Sequence, residues 1–238
     1  RGLKFSLSGS TRPTVRIPAP CAGSPDGFAL FEQPTSRETL FVMRRNLASL
    51  ADTVFDLLVI GGGIHGACAA WDAVSRGLSV ALAEKCDFGS ATSANSLKIL
   101  HGGLRYLQKA DFRRMRQSIR ERATLLRLAP HLTRPLPVAV PTYSDLMESR
   151  AVLWMALRTS ELVGAGLNRQ GGRDGGLPPG RILDRRESLR LFPWIEKEGL
   201  TGAALWHDGQ AVNSERLTLS FLLSAAEAGA EVANYLEV

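Results

Sequence analysis

The feature that most constrains this chain is a glycine-rich turn that directly follows a short apolar run. Residues 55–60 read FDLLVI, and residues 61–66, here named the glycine turn, read GGGIHG. Between a β-strand and an α-helix, such glycines allow a sharp turn, a close approach of the backbone to a diphosphate, and tight packing of the helix on the strand. The spacing of Gly61, Gly63 and Gly66 therefore predicts a dinucleotide site at the positive end of a helix.

The residues after the glycine turn have the pattern that this prediction requires. Residues 64–76 place apolar side chains on one helical face, and Gly77 is suited to ending that helix. Residues 79–83 then read as a buried parallel strand. Glu84 closes this strand, where an acid accepts hydrogen bonds from the ribose of a bound adenosine. Because its charge repels a 2′-phosphate, a ligand of the NADP type is disfavoured.

The composition is that of a protein with a sizeable core. The chain has 238 residues, of which 45% are hydrophobic and 22% charged, enough for one large or two small domains. Its three cysteines show no CxxC spacing, which indicates neither a disulfide framework nor a structural zinc site, so we expect no metal. No stretch approaches the roughly 18 apolar residues of a membrane-spanning helix, and we expect any membrane contact to be peripheral.

The first part of the chain differs from the rest. Residues 1–42 are rich in proline, serine and arginine and show no sustained hydrophobic period. We expect residues 1–50 to be a disordered or non-native leader, with Met43 as a natural start. An organellar transit peptide is the less favoured alternative, because the prolines disrupt an amphipathic helix. Residues 51–238 are expected to form the folded part.

A loop rich in small and hydroxyl-bearing residues follows Glu84. Residues 85–96 read KCDFGSATSANS, a composition typical of a loop that lies against a polar surface. An ordinary surface loop has the same composition, but the position directly after the predicted ribose-binding strand favours contact with a nucleotide. We therefore expect Thr92 and Ser93 to contact the cofactor.

A second unusual cluster, residues 101–106, reads HGGLRY and is here named the histidine loop. Because neither Gly102 nor Gly103 presents a side chain, His101 and Arg105 can approach one flat ligand closely. Arg105 can then supply a fixed positive charge where negative charge builds up on a reduced cofactor. Taken singly, His101 is more often a hydrogen-bonded loop histidine and Arg105 a member of a surface ion pair.

The helix predicted for residues 111–129 begins at Asp111, a favoured N-cap residue, and has a strongly basic outer face. That face is either an ordinary solvated surface or a site attracted to an anionic membrane. Nucleic acid is the least favoured partner, because no known binding module and no interleaved aromatic residues accompany the charge. The basic residues counted here are Lys109, Arg113, Arg114, Arg116, Arg120, Arg122 and Arg127.

Several motifs occur together, in one order, along residues 55–238. They are the glycine turn with Asp72, Arg76 and Gly77; residues 91–93 (ATS); Lys98 with the histidine loop; residues 129–132 (APHL); and residues 208–210 (DGQ). This combination resembles the FAD-dependent glycerol-3-phosphate dehydrogenases. The chain departs from the pattern of that family at Cys68, where a glycine is usual, and at residues 213–216, which read NSER.

The resemblance implies an α/β fold: a Rossmann-like FAD-binding domain with the beginning of a second, substrate-binding domain, truncated at the C-terminus. In such a protein, hydride leaves C2 of sn-glycerol 3-phosphate for N5 of the flavin, giving dihydroxyacetone phosphate, and the electrons pass to a membrane quinone. The residues implied to contact FAD are Gly61, Gly63, Gly66, Glu84, Thr92, Ser93, Lys98, Gly102 and Gly103.

The resemblance also implies catalytic roles and a location. Arg105 would stabilise the anionic reduced ring or the substrate phosphate, Tyr106 would line the pocket, and His101 would set the loop against the ring. We expect a cytoplasmic protein at the membrane surface, with a mitochondrial location as the alternative. Two other functions stay open: a related flavin oxidoreductase acting on an amine, amino acid or other hydroxy acid, and a nucleotide-binding module without turnover.

Overall fold

The computed structural model describes residues 3–4, 43–144, 149–167 and 176–238. In chain order these form β1 (Leu3–Lys4), α1 (Leu47–Asp52), β2 (Val54–Phe55), β3 (Leu57–Ile60), α2 (Ile64–Ser75), β4 (Val80–Ala83), β5 (Ile99–Leu100), a 3-10 helix (Leu104–Lys109), α3 (Phe112–Leu128), β6 (Thr133–Thr142), α4 (Arg150–Val163), β7 (Arg181–Asp184), α5 (Arg185–Leu191), β8 (Gly202–Ala211), α6 (Ser214–Glu227) and β9 (Glu231–Ala233). The chain divides into two compact units: the first comprises residues up to 96 with 213–238, and the second comprises residues 97–212.

The predicted boundary at residue 50 differs from the structure. Most of the predicted leader lies outside the described residues, which include only residues 3–4 and 43–50 of it. Helix α1 crosses the boundary, and Leu50 belongs to one buried cluster with Phe55 and Ala81. Burial of these apolar side chains joins residues on both sides of the boundary into the same core.

The first unit is built on a parallel sheet with the strand order β3–β4–β9. All four residues of β4 are buried, as expected for the central strand of a parallel sheet. The register pairs Ile60 with Ala83, and Ala83 with Ala233. The carboxyl ends of the three strands therefore lie at the same level, which is the edge of an α/β sheet where ligands bind.

Helix α2 packs closely because its inner face is made of small residues. Ala67, Ala70 and Ala73 are buried at helical spacing. On the neighbouring turn of the helix, Trp71 makes an edge contact with Phe221 of α6, with ring centroids 5.5 Å apart. The chain leaves α2 through Gly77, whose φ of +87° is the left-handed conformation that glycine adopts without strain.

The second unit is organised around β8, the central strand of an antiparallel sheet. Strand β6 pairs with β8 along the whole length of β8, from Gly202 to Ala211. Strands β5 and β7 pair with the opposite edge of β8, near its end and its beginning respectively. Strand β8 therefore carries the segment 208–210 into the middle of the second unit.

Strand β6 contains Pro135, Pro137 and Pro141, all at odd positions. Val212 N donates a hydrogen bond to Leu132 O, which by strand alternation puts the even-numbered residues of β6 in the hydrogen-bonded pairs with β8. The nitrogen atoms of the odd-numbered residues point away from β8, so the prolines remove no hydrogen bond from this ladder.

Helix α3 begins as predicted, with Asp111 Oδ1 accepting a hydrogen bond from Arg114 N at 3.0 Å. Its inner face buries Met115 and Ile119. Arg122 follows on the same face and is only 6% exposed, so its assignment to the basic outer face is wrong. Among the helices of the described residues, none is both long enough and apolar enough to cross a membrane.

Candidate functional site

The glycine turn leaves β3 at the carboxyl edge of the sheet in the first unit. Gly61 has a φ of +107°, which glycine adopts without strain, and its N–H donates to Ala83 O at 2.8 Å. A Cβ added to Gly66 would overlap the carbonyl oxygen of Gly61. The turn and the close approach of α2 therefore both require glycine, as the sequence predicts for these two positions.

Gly62 is a further constrained position of the turn, to which the sequence analysis assigned no role. A Cβ at Gly62 would lie 2.6 Å from Phe88 Cδ1, closer than real Cβ atoms approach, and 3.0 Å from Glu84 Cβ, which is also tight. Its N–H donates to Glu84 Oε2 at 2.6 Å. The signal in the sequence was the run of three glycines, because the dinucleotide pattern requires only the first and third of them.

Glu84 connects the glycine turn to the end of β4. Its second oxygen, Oε1, accepts a hydrogen bond from Cys86 N at 2.9 Å. The side chain is half-buried. Because an ionised carboxylate offers about four acceptor positions, these two bonds leave capacity for the hydroxyl groups of a ribose.

Ser93 lies at the start of α2, where the sequence analysis placed a cofactor contact. Gly63, the N-cap residue, makes no side-chain hydrogen bond to the helix. Ser93 Oγ instead accepts a hydrogen bond from Ile64 N at 2.9 Å, so a residue from the following loop caps the helix. Thr92 is exposed on the same loop.

The residues of the glycine turn fit a bound dinucleotide. Gly61, Gly62 and Gly63 present no side chains in front of α2, and the first turn of this helix contains no acidic residue. The helix itself therefore adds no negative charge at the positive end of its dipole, where a diphosphate would bind, and the nearest carboxylate described above is that of Glu84, bonded to Gly62 N–H. Glu84 at the end of the adjacent strand supplies the acceptor for a ribose.

The histidine loop lies in the second unit, between β5 and α3. Gly102 and Gly103 are buried, and Gly103 has a φ of +74°. A Cβ at Gly103 would be 2.8 Å from Tyr106 Cδ2. The rings of His101 and Tyr106 meet edge to face, with centroids 6.3 Å apart. The structure therefore brings these two predicted catalytic residues together.

Lys98 precedes this loop in a sparsely populated backbone conformation. Its φ is +56°, which is uncommon for a residue with a side chain. Its carbonyl oxygen accepts a hydrogen bond from Ala211 N at 2.8 Å, which extends the β5–β8 ladder by one residue. The backbone of Lys98 therefore fixes the entry to β5.

A cavity of about 470 Å³ opens beside the histidine loop. Arg105 and Lys109 are both exposed and provide positive charge at its wall. Cationic groups together with the Tyr106 hydroxyl suit a small ligand that carries a phosphate and hydroxyl groups. The lining includes His101, Arg105, Tyr106, Lys109, Trp206 and Asp208.

A buried ion pair between Arg122 and Asp208 contacts the backbone of the histidine loop. Arg122 Nη1 donates to Asp208 Oδ1 at 2.7 Å, and the two side chains are 6% and 10% exposed. The same oxygen accepts the N–H of Gly102 at 2.7 Å. Burial lowers the pKa of Arg122 from its ordinary value, while the charge of Asp208 opposes that effect. The sequence analysis assigned no role to Asp208, although the motif 208–210 had drawn attention to it.

Within the described residues, no group of three or more His, Cys, Asp or Glu side chains could hold a metal ion.

A family model described as FAD dependent oxidoreductase matches residues 56–238. This match covers more than half of the chain, and the chain therefore belongs to the FAD dependent oxidoreductase family. Family membership confirms the predicted FAD cofactor and the α/β, Rossmann-like FAD-binding fold. The description of the family agrees with the enzyme class that the sequence analysis predicts, an FAD-dependent oxidoreductase.

Two curated proteins are similar to this chain over most of its length. The chain is 40% identical over 213 residues to the mitochondrial glycerol-3-phosphate dehydrogenase of Macaca fascicularis, covering 87% of this chain and 27% of that protein. It is 42% identical over 194 residues to the glycerol-3-phosphate dehydrogenase of Synechocystis sp., covering 82% of this chain and 34% of that protein. The chain thus spans about a quarter to a third of the length of these relatives.

A solved structure agrees with this comparison. The glycerol-3-phosphate dehydrogenase from Bacillus halodurans, complexed with FAD, matches 77% of this chain and 27% of its own chain. The sequence identity is 29% and the TM-score is 0.52.

Proposed function

We propose that the protein to which this chain belongs oxidises sn-glycerol 3-phosphate to dihydroxyacetone phosphate and passes the electrons to a membrane quinone. The observation that carries the proposal is the 40% identity over 213 residues with a mitochondrial glycerol-3-phosphate dehydrogenase. The FAD-bound glycerol-3-phosphate dehydrogenase with a similar fold supports the same substrate. The cavity beside the histidine loop carries Arg105 and Lys109 at its wall, together with Asp111 and Asp208, and its cationic groups are chemically suited to a phosphate ester.

Within this proposal, the first unit holds FAD and orients it. Gly61, Gly63 and Gly66 let the backbone and the positive end of α2 approach the diphosphate, and Glu84 accepts from the ribose hydroxyls. When bound, FAD supplies the acceptor for a hydride, and the protein supplies orientation and electrostatics. The further FAD contacts proposed within this unit are Thr92 and Ser93.

The second unit provides the proposed substrate contacts. Arg105 binds the phosphate, because a planar guanidinium can donate two parallel hydrogen bonds to phosphate oxygens. Tyr106 lines the same cavity, and its phenol can donate to a substrate hydroxyl. His101 lies against the ring of Tyr106 and limits its orientation. Positioning of this kind is the main contribution that a protein makes to hydride transfer.

The test is the anaerobic absorption spectrum of the full-length protein before and after addition of glycerol 3-phosphate. We expect a yellow protein whose flavin band bleaches with glycerol 3-phosphate and not with glycerol at the same concentration. Bleaching with an amino acid, and not with glycerol 3-phosphate, would reject the proposed substrate. A protein that binds FAD but is bleached by neither compound would be the nucleotide-binding module without turnover.

The proposed quinone reaction needs contact with a membrane, and the outer face of α3 is the proposed contact surface. Arg113, Arg116 and Arg120 are exposed on this helix. Clustered basic side chains are attracted to anionic lipid headgroups. Arg116 also donates to Val163 O, so it has a structural role in addition.

Charge reversal tests the membrane contact. Arg113→Glu with Arg120→Glu should weaken sedimentation of the full-length protein with vesicles that contain phosphatidylserine, and added salt should weaken it further. The matched control reverses Arg186 and Arg190, which are exposed on α5. Equal sedimentation of the α3 variant and the wild-type protein would reject α3 as the contact surface.

We propose a mitochondrial location in preference to the cytoplasmic one that the sequence analysis favoured. The support is the mitochondrial designation of the mammalian relatives. Fractionation of cells that express the full-length protein tests it, because recovery in the cytosol and the plasma membrane would restore the cytoplasmic alternative.

A further inference from the structure

The Arg122–Asp208 pair connects three separate parts of the second unit. Arg122 lies on α3, Asp208 lies on the central strand β8, and the N–H of Gly102 belongs to the histidine loop. Arg122 Nη1 also donates to His207 O at 3.1 Å. The second oxygen of Asp208 accepts a hydrogen bond from Trp206 Nε1 at 3.3 Å. One carboxylate therefore accepts from a loop backbone, an arginine and an indole.

Burial of the Arg122–Asp208 pair costs free energy of desolvation. Both charges leave water, and a buried ion pair is often no more stable than well-packed apolar side chains of similar volume. A neutral acceptor would be enough to satisfy Gly102 N–H. The stability of the second unit therefore does not by itself explain this ion pair. A requirement for one position of the histidine loop explains it.

The backbone of Gly102 lies in direct contact with the guanidinium of Arg122. A Cβ at Gly102 would lie 2.8 Å from Arg122 Cζ, so the guanidinium fills the space that a side chain would take. On the other side, a Cβ at Gly209 would lie 3.0 Å from Leu100 Cβ. The loop backbone thus rests directly on the ion pair, and His101 and Gly103 flank the bonded N–H.

We propose that Asp208 is a positioning residue for the histidine loop. Asp208 holds the loop by accepting the N–H of Gly102, and Arg122 neutralises the buried charge of Asp208 by donating to the same oxygen. Asp208 also lies at the wall of the proposed substrate cavity, and hydrogen exchange of the loop reports its positioning role separately from the rate. Its effect on the position of the loop reaches the reaction through His101, Arg105 and Tyr106, and in that respect the inference rests on the proposed function.

The experiment compares two neutral replacements in the full-length protein. Arg122→Met with Asp208→Asn removes both charges but keeps an acceptor for Gly102 N–H. Arg122→Met with Asp208→Leu removes both charges and the acceptor. Because neither variant leaves a lone buried charge, the comparison isolates the hydrogen bond to the loop.

Two measurements are made on each variant. The first is the rate constant of flavin reduction by glycerol 3-phosphate at saturation, normalised to bound FAD. The second is hydrogen exchange of the peptide that covers residues 99–109. We expect the Asn variant to retain most of the wild-type rate, and the Leu variant to be slower by about 10- to 100-fold with unchanged FAD content. Hydrogen exchange should be faster in the Leu variant alone.

A second acid in the same unit provides the control. Glu161 also accepts from an arginine, Arg158, and from a glycine N–H, that of Gly180 at 2.9 Å. Glu161→Gln should leave the rate of flavin reduction unchanged, and so should not reproduce the effect expected at Asp208. An equal loss in this variant would show that any disturbed ion pair of the unit lowers the rate, and would overturn the assignment.

The outcomes separate the inference from the proposed function. Equal rates and equal exchange in the Asn and Leu variants would overturn the positioning role. If glycerol 3-phosphate fails to reduce the wild-type flavin, the proposed function fails, and hydrogen exchange alone decides whether Asp208 holds the loop. If the Leu variant does not fold, Arg122→Met with Asp208→Ala replaces it, because alanine also removes the acceptor for Gly102 N–H, and a wild-type rate with wild-type loop exchange in that variant would overturn the role.

Discussion

The glycine turn and the histidine loop both depend on glycines. They differ in how far along the chain the groups lie that contact those glycines. In the turn, Gly66 is constrained by Gly61 O and Gly62 by Phe88. In the loop, the N–H of Gly102 is held by Asp208, which is 106 residues away. The turn is thus a property of local backbone geometry, whereas the loop is a property of tertiary packing. Substitutions in the turn should act on cofactor binding, and substitutions in the loop on reaction rate.

The largest expected effect is at Gly66. Gly66→Ala places a methyl group against the carbonyl oxygen of Gly61, and backbone atoms can move only together with β3 and α2. We expect the full-length protein to lose bound FAD and to be destabilised near the upper end of the about 1–3 kcal/mol range typical of overpacking. The measurements are the flavin-to-protein absorbance ratio and thermal unfolding. Ala69→Leu, on the exposed face of the same helix, is the control, and FAD retained by Gly66→Ala would contradict the prediction.

Arg105→Ala should give the opposite result, with FAD retained and the reaction slowed. Removing one preorganised hydrogen-bond donor from a site where negative charge develops typically lowers the rate by about 100- to 1,000-fold. Stopped-flow reduction by glycerol 3-phosphate measures the rate, and the visible spectrum measures bound FAD. Arg113→Ala, an exposed arginine on α3, should behave as wild type. A normal reduction rate in Arg105→Ala would remove this residue from the site.

Glu84→Gln should weaken FAD binding without abolishing it. The glutamine keeps one acceptor oxygen, but its NH2 group then faces one of the two backbone N–H donors, from Gly62 or Cys86. Since a hydrogen bond to a charged group contributes about 1.5–3 kcal/mol, we expect the dissociation constant of FAD to rise by about 10-fold or more. Fluorescence titration of the apoprotein measures it, with Glu227→Gln at the exposed end of α6 as the control. An unchanged constant would show that Glu84 does not contribute to the cofactor site.

His207 gives the smallest expected effect, a pH dependence of stability. Burial, and to a lesser extent the charge of Arg181, lower the pKa of His207 from its ordinary value of 6.5. The unfolded chain therefore binds this proton more readily than the folded one, and the free energy of unfolding should fall as pH drops below about 6.5. Denaturant unfolding of wild type and His207→Gln measures the difference, with the exposed His131→Gln as the control. Parallel pH profiles for wild type and His207→Gln would contradict this prediction.

Sequence reasoning found the glycine turn because its determinants are close together in the chain. Gly61, Gly66 and Glu84 have fixed spacing, and each follows from the geometry of one strand–helix–strand unit. The cap of α3 at Asp111 was found for the same reason, because an N-cap bond joins residues three positions apart.

The other features of the site could be identified only from the folded structure. Arg122 occurs in a run of arginines, and composition placed it on the outer face with its neighbours. Its helical period with Met115 and Ile119 was the available signal for burial. The partner, Asp208, is 86 residues away on β8, and no local pattern relates the two positions. The packing of Leu50 also required the fold, since its burial depends on contact with Phe55 and the sheet.

The proline pattern of β6 has a consequence for the behaviour of the second unit in solution. An unprotected sheet edge can recruit strands from other molecules, because it offers a row of free donors and acceptors. Along β6, Pro135, Pro137 and Pro141 remove three of the donors from the side that faces away from β8, and Ala139 supplies the one between them. A strand added at this side would lack three of the N–H donors that β6 would otherwise offer, although the carbonyl groups remain, so strand addition at β6 should be disfavoured.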